Sequence, residues 1–421
     1  ESIYFSAGVE EADPDTLAQL FAEERKIRTP REDFRSCLLN AALQFYYRPD
    51  ATHGYLLAGY PWFGVRARDL FIALPGCTIY ADAPERFYRI MDTVLPDMRA
   101  FMRQEGISRE IRNINEGDIG LWAIWTLQEY ARWASLPDMV SRYGDFLDEL
   151  IHYYLRNVHP NLRIDDNGLC VITGDGRPLS WMDAKVNGQA VVRREGYLVE
   201  VNALWYNALC FYREALPQKW TPELEELLGR VQQSFCDTFI NQHGYLFDYV
   251  HPHSSWRDWS VRPNMVFATS LPYSPLPKAT RRSVLEIITR ELRTPKGLRS
   301  LSPKSDGYQP QCHGTQWQRE QSYYNGSVWP WLLGPYFEAC IKLYGRSAIS
   351  FIENTLIGME EELQQHGVGT VSELFDGNPP FKGRGAISFA MSVGELLRSL
   401  ALLEEAKSKY DTQILPIIRY E

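Results

Sequence analysis

Two carboxylates in the sequence stand in surroundings that suit the hydrolysis of a glycosidic bond. Asp183 follows Trp181-Met182, and Glu373 precedes the sequence Leu374–Gly377 near a predicted junction between helices. Such hydrolysis needs one protonated carboxyl to assist the leaving oxygen and one carboxylate to activate water. Apolar neighbours raise a carboxyl pKa, although Lys185 would oppose that shift if it points inward. We therefore predict Asp183 as general acid and Glu373 as general base; a turn cap and a solvated side chain are the alternatives.

Aromatic rings and polar side chains elsewhere in the sequence suit the binding of a sugar. Rings stack on the C–H faces of a pyranose, while carboxylates, amides and guanidinium groups bind its hydroxyls. The adjacent pair Arg68-Asp69 is suited to hold two neighbouring hydroxyls, and Trp205 is a further stacking candidate. For each Trp, a place in the core is the alternative. The residues predicted to bind substrate are Trp62, Arg68, Asp69, Asp118, Trp181, Lys185, Glu200, Asn202, Arg262, Tyr324 and Trp329.

Composition excludes several other classes of protein. The chain has 421 residues, of which 45% are hydrophobic and 23% charged, so it predicts a folded protein rather than a disordered or fibrous one. A net charge of −9 without basic runs argues against nucleic acid and anionic membrane as partners. No apolar stretch approaches the ~18 residues that span a bilayer. Aromatic residues are frequent at 13%, with 12 Trp and 24 Tyr, which favours a carbohydrate partner.

Cysteine and histidine usage predicts reduced thiols and no bound metal. The seven cysteines are scattered without a CxxC pair, which indicates a cytoplasmic protein. His251 and His253 form the one close His pair and have no third ligand nearby, so we expect no metal and no cofactor.

Helical periodicity dominates the sequence. Apolar residues recur at helical spacing from Phe34 to Phe45 and from Val140 to Tyr154, and Pro14 and Pro222 stand at predicted helix starts. Further helices are predicted at 86–104, 119–134, 200–216, 278–293, 327–343, 348–364 and 387–405. Alternating strands are scarce, with short extended pieces predicted around 162–172 and 189–193. No linker divides the chain, so we predict one domain over 1–421, with 1–30 as an N-terminal extension or remnant.

Six aromatic or charged loops recur between the predicted helix pairs. Their anchors at positions 62, 118, 181, 262, 323 and 373 lie 50 to 81 residues apart. This spacing suits six repeats of one helical hairpin each. If the hairpins close into a ring, every inner helix starts at the same end and all six loops meet there. The prediction is therefore an all-α fold, an (α/α)6 barrel or six-hairpin toroid, with long loops at one end forming a cleft.

Several of these segments resemble the glycogen debranching enzyme family in its amylo-α-1,6-glucosidase domain. The resemblance runs in order from about residue 34 to 405, and its central and Trp329 blocks are quite specific. The segments that carry it are Ala58–Phe63, Arg68-Asp69, Ala73–Gly76, Leu179–Lys185, Val199–Leu209, Arg262–Asn264, Gly326–Pro335, Ser372–Gly377 and Ser392–Arg398.

This resemblance implies an (α/α)6 barrel that hydrolyses α-1,6-linked glucose from glycogen-type or limit-dextrin oligosaccharides with inversion. It also implies Asp183 as general acid, Glu373 as general base, and no cofactor. Where the family usually reads Arg-Asp-x-x-Tyr-His-Gln-Gly-Thr, this chain has Arg319–Ser327, with Tyr324-Asn325 in place of His-Gln. That departure predicts altered hydroxyl contacts. No glucanotransferase domain is present in the sequence, which predicts the glucosidase part alone or a fragment of a longer protein.

Three other functions stay open at this stage. Another exo-acting glycosidase on the same barrel, glucoamylase-like or trehalase-like, would differ in substrate. A sugar epimerase would need paired His bases, and the few histidines here lie outside the six loops. A non-catalytic glycan-binding protein would bind oligosaccharide and release no glucose, which Tyr324-Asn325 makes conceivable.

Overall fold

Helices alternate along the chain between an amphipathic helix and one that is buried nearly throughout. The computed structural model describes residues 3–6, 11–28, 30–174 and 176–411. The α-helices of this part are α1 (Leu17–Ile27), α2 (Phe34–Phe45), α3 (Ala67–Cys77), α4 (Pro84–Met102), α5 (Ile119–Trp133), α6 (Leu136–Leu155), α7 (Val199–Ala215), α8 (Pro222–Phe239), α9 (Phe267–Ser270), α10 (Lys278–Glu291), α11 (Gln316–Tyr323), α12 (Leu333–Tyr344), α13 (Ile349–Glu360) and α14 (Ala390–Asp411).

The buried helices form a closed ring. In order, α3, α5, α7, α9, α12 and α14 each contact the next, and α14 returns to contact α3. Outside this ring lie the amphipathic helices α2, α4, α6, α8, α10 and α13, which turn their apolar faces inward. The backbones of α3 and α14 approach each other closely at Gly76 and Gly394. A Cβ added at Gly76 would lie 1.9 Å from the carbonyl oxygen of Gly394, so the approach depends on glycine.

The predicted helices are confirmed with small shifts at their ends, and local caps explain several starts. Asp33 accepts a hydrogen bond from the Ser36 backbone N–H at 2.7 Å in the capping box of α2. Thr221 caps α8, whose first residue is Pro222 as predicted. The helix predicted at 327–343 differs, because Val328–Trp329 is a strand and Pro330–Leu332 a 3-10 turn before α12.

Short strands connect the helices and shape one end of the ring. The strands of the described part are β1 (Tyr46–Tyr47), β2 (Tyr55–Leu56), β3 (Gly59–Tyr60), β4 (Val65–Arg66), β5 (Ile111–Arg112), β6 (Leu162–Ile164), β7 (Cys170–Ile172), β8 (Lys185–Val186), β9 (Gln189–Ala190), β10 (Tyr197–Leu198), β11 (Tyr249–Val250), β12 (Arg293–Thr294), β13 (Gly297–Arg299), β14 (Val328–Trp329), β15 (Leu374–Phe375), β16 (Gly383–Arg384) and β17 (Ser388–Phe389).

Most strand pairs are antiparallel and only two residues long. The largest sheet has the order β12-β13-β14-β15-β16, with Val328 opposite Phe375, and it joins the loops before α12 and α14. The pair β4–β5 is parallel. The predicted extended piece at 162–172 is confirmed as the hairpin of β6 and β7, while that at 189–193 is a strand only over Gln189–Ala190. The all-α prediction leaves these strands out, since two residues cannot display an alternating pattern.

The interior of the ring holds a buried ionic cluster in addition to apolar side chains. Arg398 of α14 donates to Glu338 and to Glu395 at 2.8 Å each, and it lies 3.8 Å from Glu129. Buried charges of this kind are tolerated when they are paired and hydrogen-bonded. The cluster therefore links α5, α12 and α14 across the ring. Within the residues described, no helix has the length and apolar character needed to cross a bilayer.

Candidate active site

A cleft of about 830 Å³ opens at the end of the ring where the inner helices begin. Four inner helices start after segments that line this cleft, with Arg66 before α3, Asn113 before α5, Tyr323 before α12 and Gly385 before α14. Side chains that line it include Trp62, Phe63, Arg66, Asp183, Lys185, Arg319, Glu320, Tyr323 and Arg384. The loops that were predicted to meet at one end of the ring contact one another here, for example through Tyr324 and Asp183.

Asp183 lies in the cleft wall between a cation and a phenol. The guanidinium of Arg66 forms an ion pair with one carboxylate oxygen, and the hydroxyl of Tyr324 donates to Oδ1 at 2.9 Å. Its chain neighbours Trp181 and Met182 are buried in the core. The prediction that apolar chain neighbours set the environment of Asp183 therefore omits its strongest contact. Arg66 comes from a strand 117 positions away, which local sequence could not reveal.

Glu373 is more deeply buried than Asp183 and has a different set of partners. The hydroxyl of Tyr323 donates to its Oε1, and the backbone N–H of Ala386 donates to Oε2 at 2.8 Å. Burial raises the pKa of Glu373 to about 8, against the lowering effect of the Ala386 N–H. The sheet places it, because Glu373 directly precedes β15, whose partner β14 follows the two tyrosines. Burial thus favours the protonated form of Glu373 near neutral pH.

Two consecutive tyrosines connect the two carboxyl groups. Tyr323 binds Glu373 and Tyr324 binds Asp183, with the two rings nearly perpendicular and their centroids 5.2 Å apart. The ring of Tyr324 in turn stacks on Trp329 at 5.1 Å with an interplanar angle of 4°. Tyr324 and Trp329, both predicted to bind substrate, are buried at 3% and 1% exposure. Their observed contacts hold the carboxyl groups in place.

The predicted pair Arg68-Asp69 lies behind the cleft wall. Arg68 is buried and forms a bidentate pair with Asp118 at 2.8 and 2.7 Å, together with an ion pair to Glu116. Asp69 is buried beside Arg66, at 3.5 Å from its Nε, and burial raises the pKa of Asp69. Arg68, Asp69 and Asp118 thus form an ionic layer that fixes the start of α3 against that of α5.

Glu200 and Trp181 belong to a second buried network. Arg194 donates to both oxygens of Glu200 at 2.5 and 2.7 Å and to Asp248 at 2.6 Å. Asn264 donates to Asp248 at 2.7 Å and accepts from the indole N–H of Trp181 at 2.6 Å. This chain of bonds leads from α7 to Trp181, two residues before Asp183. Sequence reasoning missed Arg194 and Asp248, which stand in unremarkable local sequence.

Asn202 and Arg262 bind the backbone of neighbouring loops. Asn202 exchanges hydrogen bonds with the N–H and C=O of Cys170 in β7 at 2.7 and 3.0 Å. Arg262 donates to the carbonyl of Tyr324 at 2.6 Å and to Asn325 Oδ1 at 3.0 Å. Both side chains therefore position loops, and Arg262 connects the fourth loop of the sequence to the tyrosine pair.

Trp62 and Lys185 are the predicted substrate-binding residues that are exposed in the cleft. The indole of Trp62 is 62% exposed and meets the ring of Phe63 edge-on at 6.2 Å between centroids. The stacking candidate Trp205 instead lies in the core and donates to the Gly168 carbonyl at 3.2 Å. Cleft residues that the sequence did not single out are Arg66, Arg319, Glu320 and Arg384. Among the described residues, no three His, Cys, Asp or Glu side chains are arranged to hold a metal ion.

Several solved structures with a similar fold are described as glycosidases. A GH63 mannosylglycerate hydrolase from Thermus thermophilus, in complex with Tris and D-glycerate, matches with a TM-score of 0.61 and 14% identity, over 88% of this chain and 100% of that one. A wild-type glycosidase matches with a TM-score of 0.54 and 13% identity, over 88% and 97%. Both likenesses, at 13 and 14% identity, concern the helical fold.

The sequence identifies the family of glycoside hydrolases to which the chain belongs. Residues 40–398 match the family described as amylo-alpha-1,6-glucosidase, and the chain belongs to that family. No curated protein matches the sequence significantly.

Proposed function

We propose that this protein is an inverting glycoside hydrolase that removes α-1,6-linked glucose from glycogen-type or limit-dextrin oligosaccharides. The proposal includes an (α/α)6 barrel, which the closed ring of six inner helices supports. The observation that carries it is the pair Asp183, which lines the cleft, and Glu373, which lies behind the lining residue Tyr323; each is held by one of two consecutive tyrosines. Two carboxyl groups flanking the scissile bond are the minimum that such hydrolysis requires.

In this proposal Asp183 is the general acid and Glu373 the general base. The acid protonates the leaving oxygen while the base removes a proton from the attacking water on the opposite face of the sugar. The pair must hold one proton in total, and burial of Glu373 favours that proton on its carboxyl before substrate binds. Moving it to Asp183 requires that the ion pair with Arg66 weaken when substrate binds. The chemistry uses water and these side chains alone, so we propose no cofactor.

Substrate contacts divide into exposed and supporting residues. We propose that Trp62 stacks on a sugar ring at the mouth of the cleft, because its face is exposed there. Lys185 reaches the same cleft. The buried residues Arg68, Glu200 and Asn202 keep the loops in place. The seven free thiols are stable in a reducing compartment, so we place the reaction in the cytoplasm.

Glucose release with product stereochemistry tests the proposal. The intact chain is incubated with a branched α-1,6 limit dextrin, isomaltose, maltose and trehalose, and the anomer formed first is followed by NMR. We expect β-glucose from the α-1,6 substrates, since inversion converts an α-glycoside into the β-anomer. α-Glucose as the first product refutes inversion. Preference for maltose or trehalose instead selects a glucoamylase-like or trehalase-like enzyme, and binding without glucose release selects a glycan-binding protein.

A further inference from the structure

We propose that the cleft also accepts, and prefers, glucosides whose leaving group is a small anion bearing a carboxylate or a phosphate. Arg66, Lys185 and Arg319 are the residues that would recognise the negative charge. This inference rests on the proposed glycosidase function and adds a class of substrate to it. It is argued from the charges that line the cleft.

Basic side chains outnumber acidic ones in the cleft lining, against the trend of the whole chain. The sequence has 53 acidic and 44 basic residues, so an average surface is negative. In the lining, by contrast, four cationic side chains stand against two carboxylates. The cations are Arg66, Lys185, Arg319 and Arg384, and the carboxylates are Asp183 and Glu320. These donors also bind neutral hydroxyls, but charge-assisted hydrogen bonds to an anion are the stronger ones.

Two of these cations, Lys185 and Arg319, form no ion pair within the described residues. Arg384 is neutralised by Asp376, with Nη2 and Oδ2 at 2.8 Å. Lys185 and Arg319 are exposed, and in the part of the chain that is described neither lies within ion-pair distance of a carboxylate. Arg319 is oriented by a bond from Nη1 to the Gly314 carbonyl at 2.6 Å. Lys185 and Arg319 can therefore donate hydrogen bonds to an incoming anion without breaking an existing ion pair.

Glu320 is the carboxylate beside these two cations. Burial raises its pKa, and the charge of Asp183 adds to that effect. The Lys185 backbone N–H and the charge of Arg319 oppose this rise. One carboxylate cannot neutralise both cations, so the lining keeps an excess of positive charge.

Arg66 connects anion binding to the chemistry. Its guanidinium now pairs with Asp183, and its side chain is 21% exposed in the cleft wall. An anionic group that binds Arg66 competes with Asp183 for the same donors. Asp183 then becomes free to hold the proton that a general acid must give to the leaving oxygen. A neutral leaving group offers no such competition, so the same step is less favourable.

A matched pair of substrates tests the proposal. α-Glucosylglycerate and α-glucosylglycerol have leaving groups that differ in a carboxylate against a hydroxymethyl group. We expect kcat/KM to be at least about tenfold higher for the acid, because hydrogen bonds to charged groups are the stronger ones. The ratio of the two values should fall toward one in Arg319→Gln and in Lys185→Gln, and also as salt is raised. Arg282→Gln, in a separate groove beside α10, should leave the ratio unchanged.

Binding without turnover separates this proposal from the proposed hydrolysis. Calorimetry on the intact chain compares D-glycerate and glycerol 3-phosphate with glycerol. Tighter binding of either anion supports the proposal even if no glycoside is cleaved, a result that would refute only the hydrolytic function. The tighter of the two identifies carboxylate or phosphate as the preferred charge. Equal binding of all three compounds, or equal kcat/KM for the two glucosides, overturns it.

Discussion

The location of the catalytic proton predicts how activity depends on pH. Burial raises the pKa of Glu373 to about 8, while Asp183 forms an ion pair with Arg66. Activity needs the pair with one proton in total, whichever carboxyl holds it at rest. Above pH ~8 Glu373 loses that proton, and the pair carries two negative charges. We therefore expect kcat/KM to fall with rising pH through about 8, by roughly tenfold for each further pH unit.

The hydroxyl of Tyr323 sets the position of this falling limb. From the ordinary value of 4.5 to about 8, the shift of Glu373 corresponds to roughly 5 kcal/mol of added free energy for ionisation. Tyr323 donates to Oε1 and so stabilises the ionised form. Such a bond to a charged group contributes about 1.5–3 kcal/mol. Removing it in Tyr323→Phe raises the pKa of Glu373 further, and we expect the limb to move to higher pH by about one unit.

The assay is initial glucose release from the best α-1,6 substrate, measured from about pH 5 to 10 with circular dichroism at each pH to exclude unfolding. Tyr273→Phe is the matched control, because Tyr273 also donates to a glutamate, Glu214, near the opposite end of α7. Its profile should coincide with that of the wild type. A falling limb below pH ~7 in the wild type, or a shift to lower pH in Tyr323→Phe, refutes this account of the proton.

Three further predictions follow from particular contacts. Asp183→Asn should lower kcat by at least about 10³-fold with the melting temperature retained, and Glu373→Gln should have the same effect. Near-normal glucose release by Asp183→Asn would show that Asp183 is not the general acid. Gly76→Ala should destabilise the fold by about 3 kcal/mol or more, because its Cβ would meet the Gly394 carbonyl at 1.9 Å; an unchanged urea midpoint would contradict this. Arg398→Leu should lower the free energy of unfolding by about 3–5 kcal/mol, because it leaves the buried Glu395 without its cation. A melting curve like that of the wild type would contradict this.

Much of the helical architecture could be predicted from the sequence, because helix faces leave a strong pattern. The spans predicted at 119–134 and 200–216 agree with α5 and α7 within a residue or two. Recurrent loop segments also predicted that distant parts of the chain meet at one end. The contacts of Tyr324 with Asp183, and of Arg262 with the Tyr324 carbonyl, join three of those loops. The recurrence of these loop segments along the sequence therefore predicted that they meet in the folded chain.

The roles of individual side chains were harder to predict, because they depend on pairings between distant loops. Arg68 and Asp118 suggest sugar binding by type, and yet they bind each other at 2.7 and 2.8 Å behind the cleft wall. Arg66 stands two positions before Arg68 and was not among the predicted site residues. It nevertheless forms an ion pair with Asp183. Arg66 ends β4 whereas Arg68 lies in the first turn of α3, so neither strand nor helix periodicity relates the directions of the two side chains. No pattern within a single loop reports that direction relative to another loop.

The common starting end of the inner helices gives the cleft an electric field that no side chain supplies. Five of these helices run for 11 residues or more, and four of the five, α3, α5, α12 and α14, begin just after segments that line the cleft. Each helix start is equivalent to about half a positive charge. The backbone therefore attracts negatively charged solutes toward the cleft of a protein whose net charge is −9. Substitution of Lys185 or Arg319 would weaken this attraction without abolishing it, and anionic products should leave more slowly as ionic strength falls.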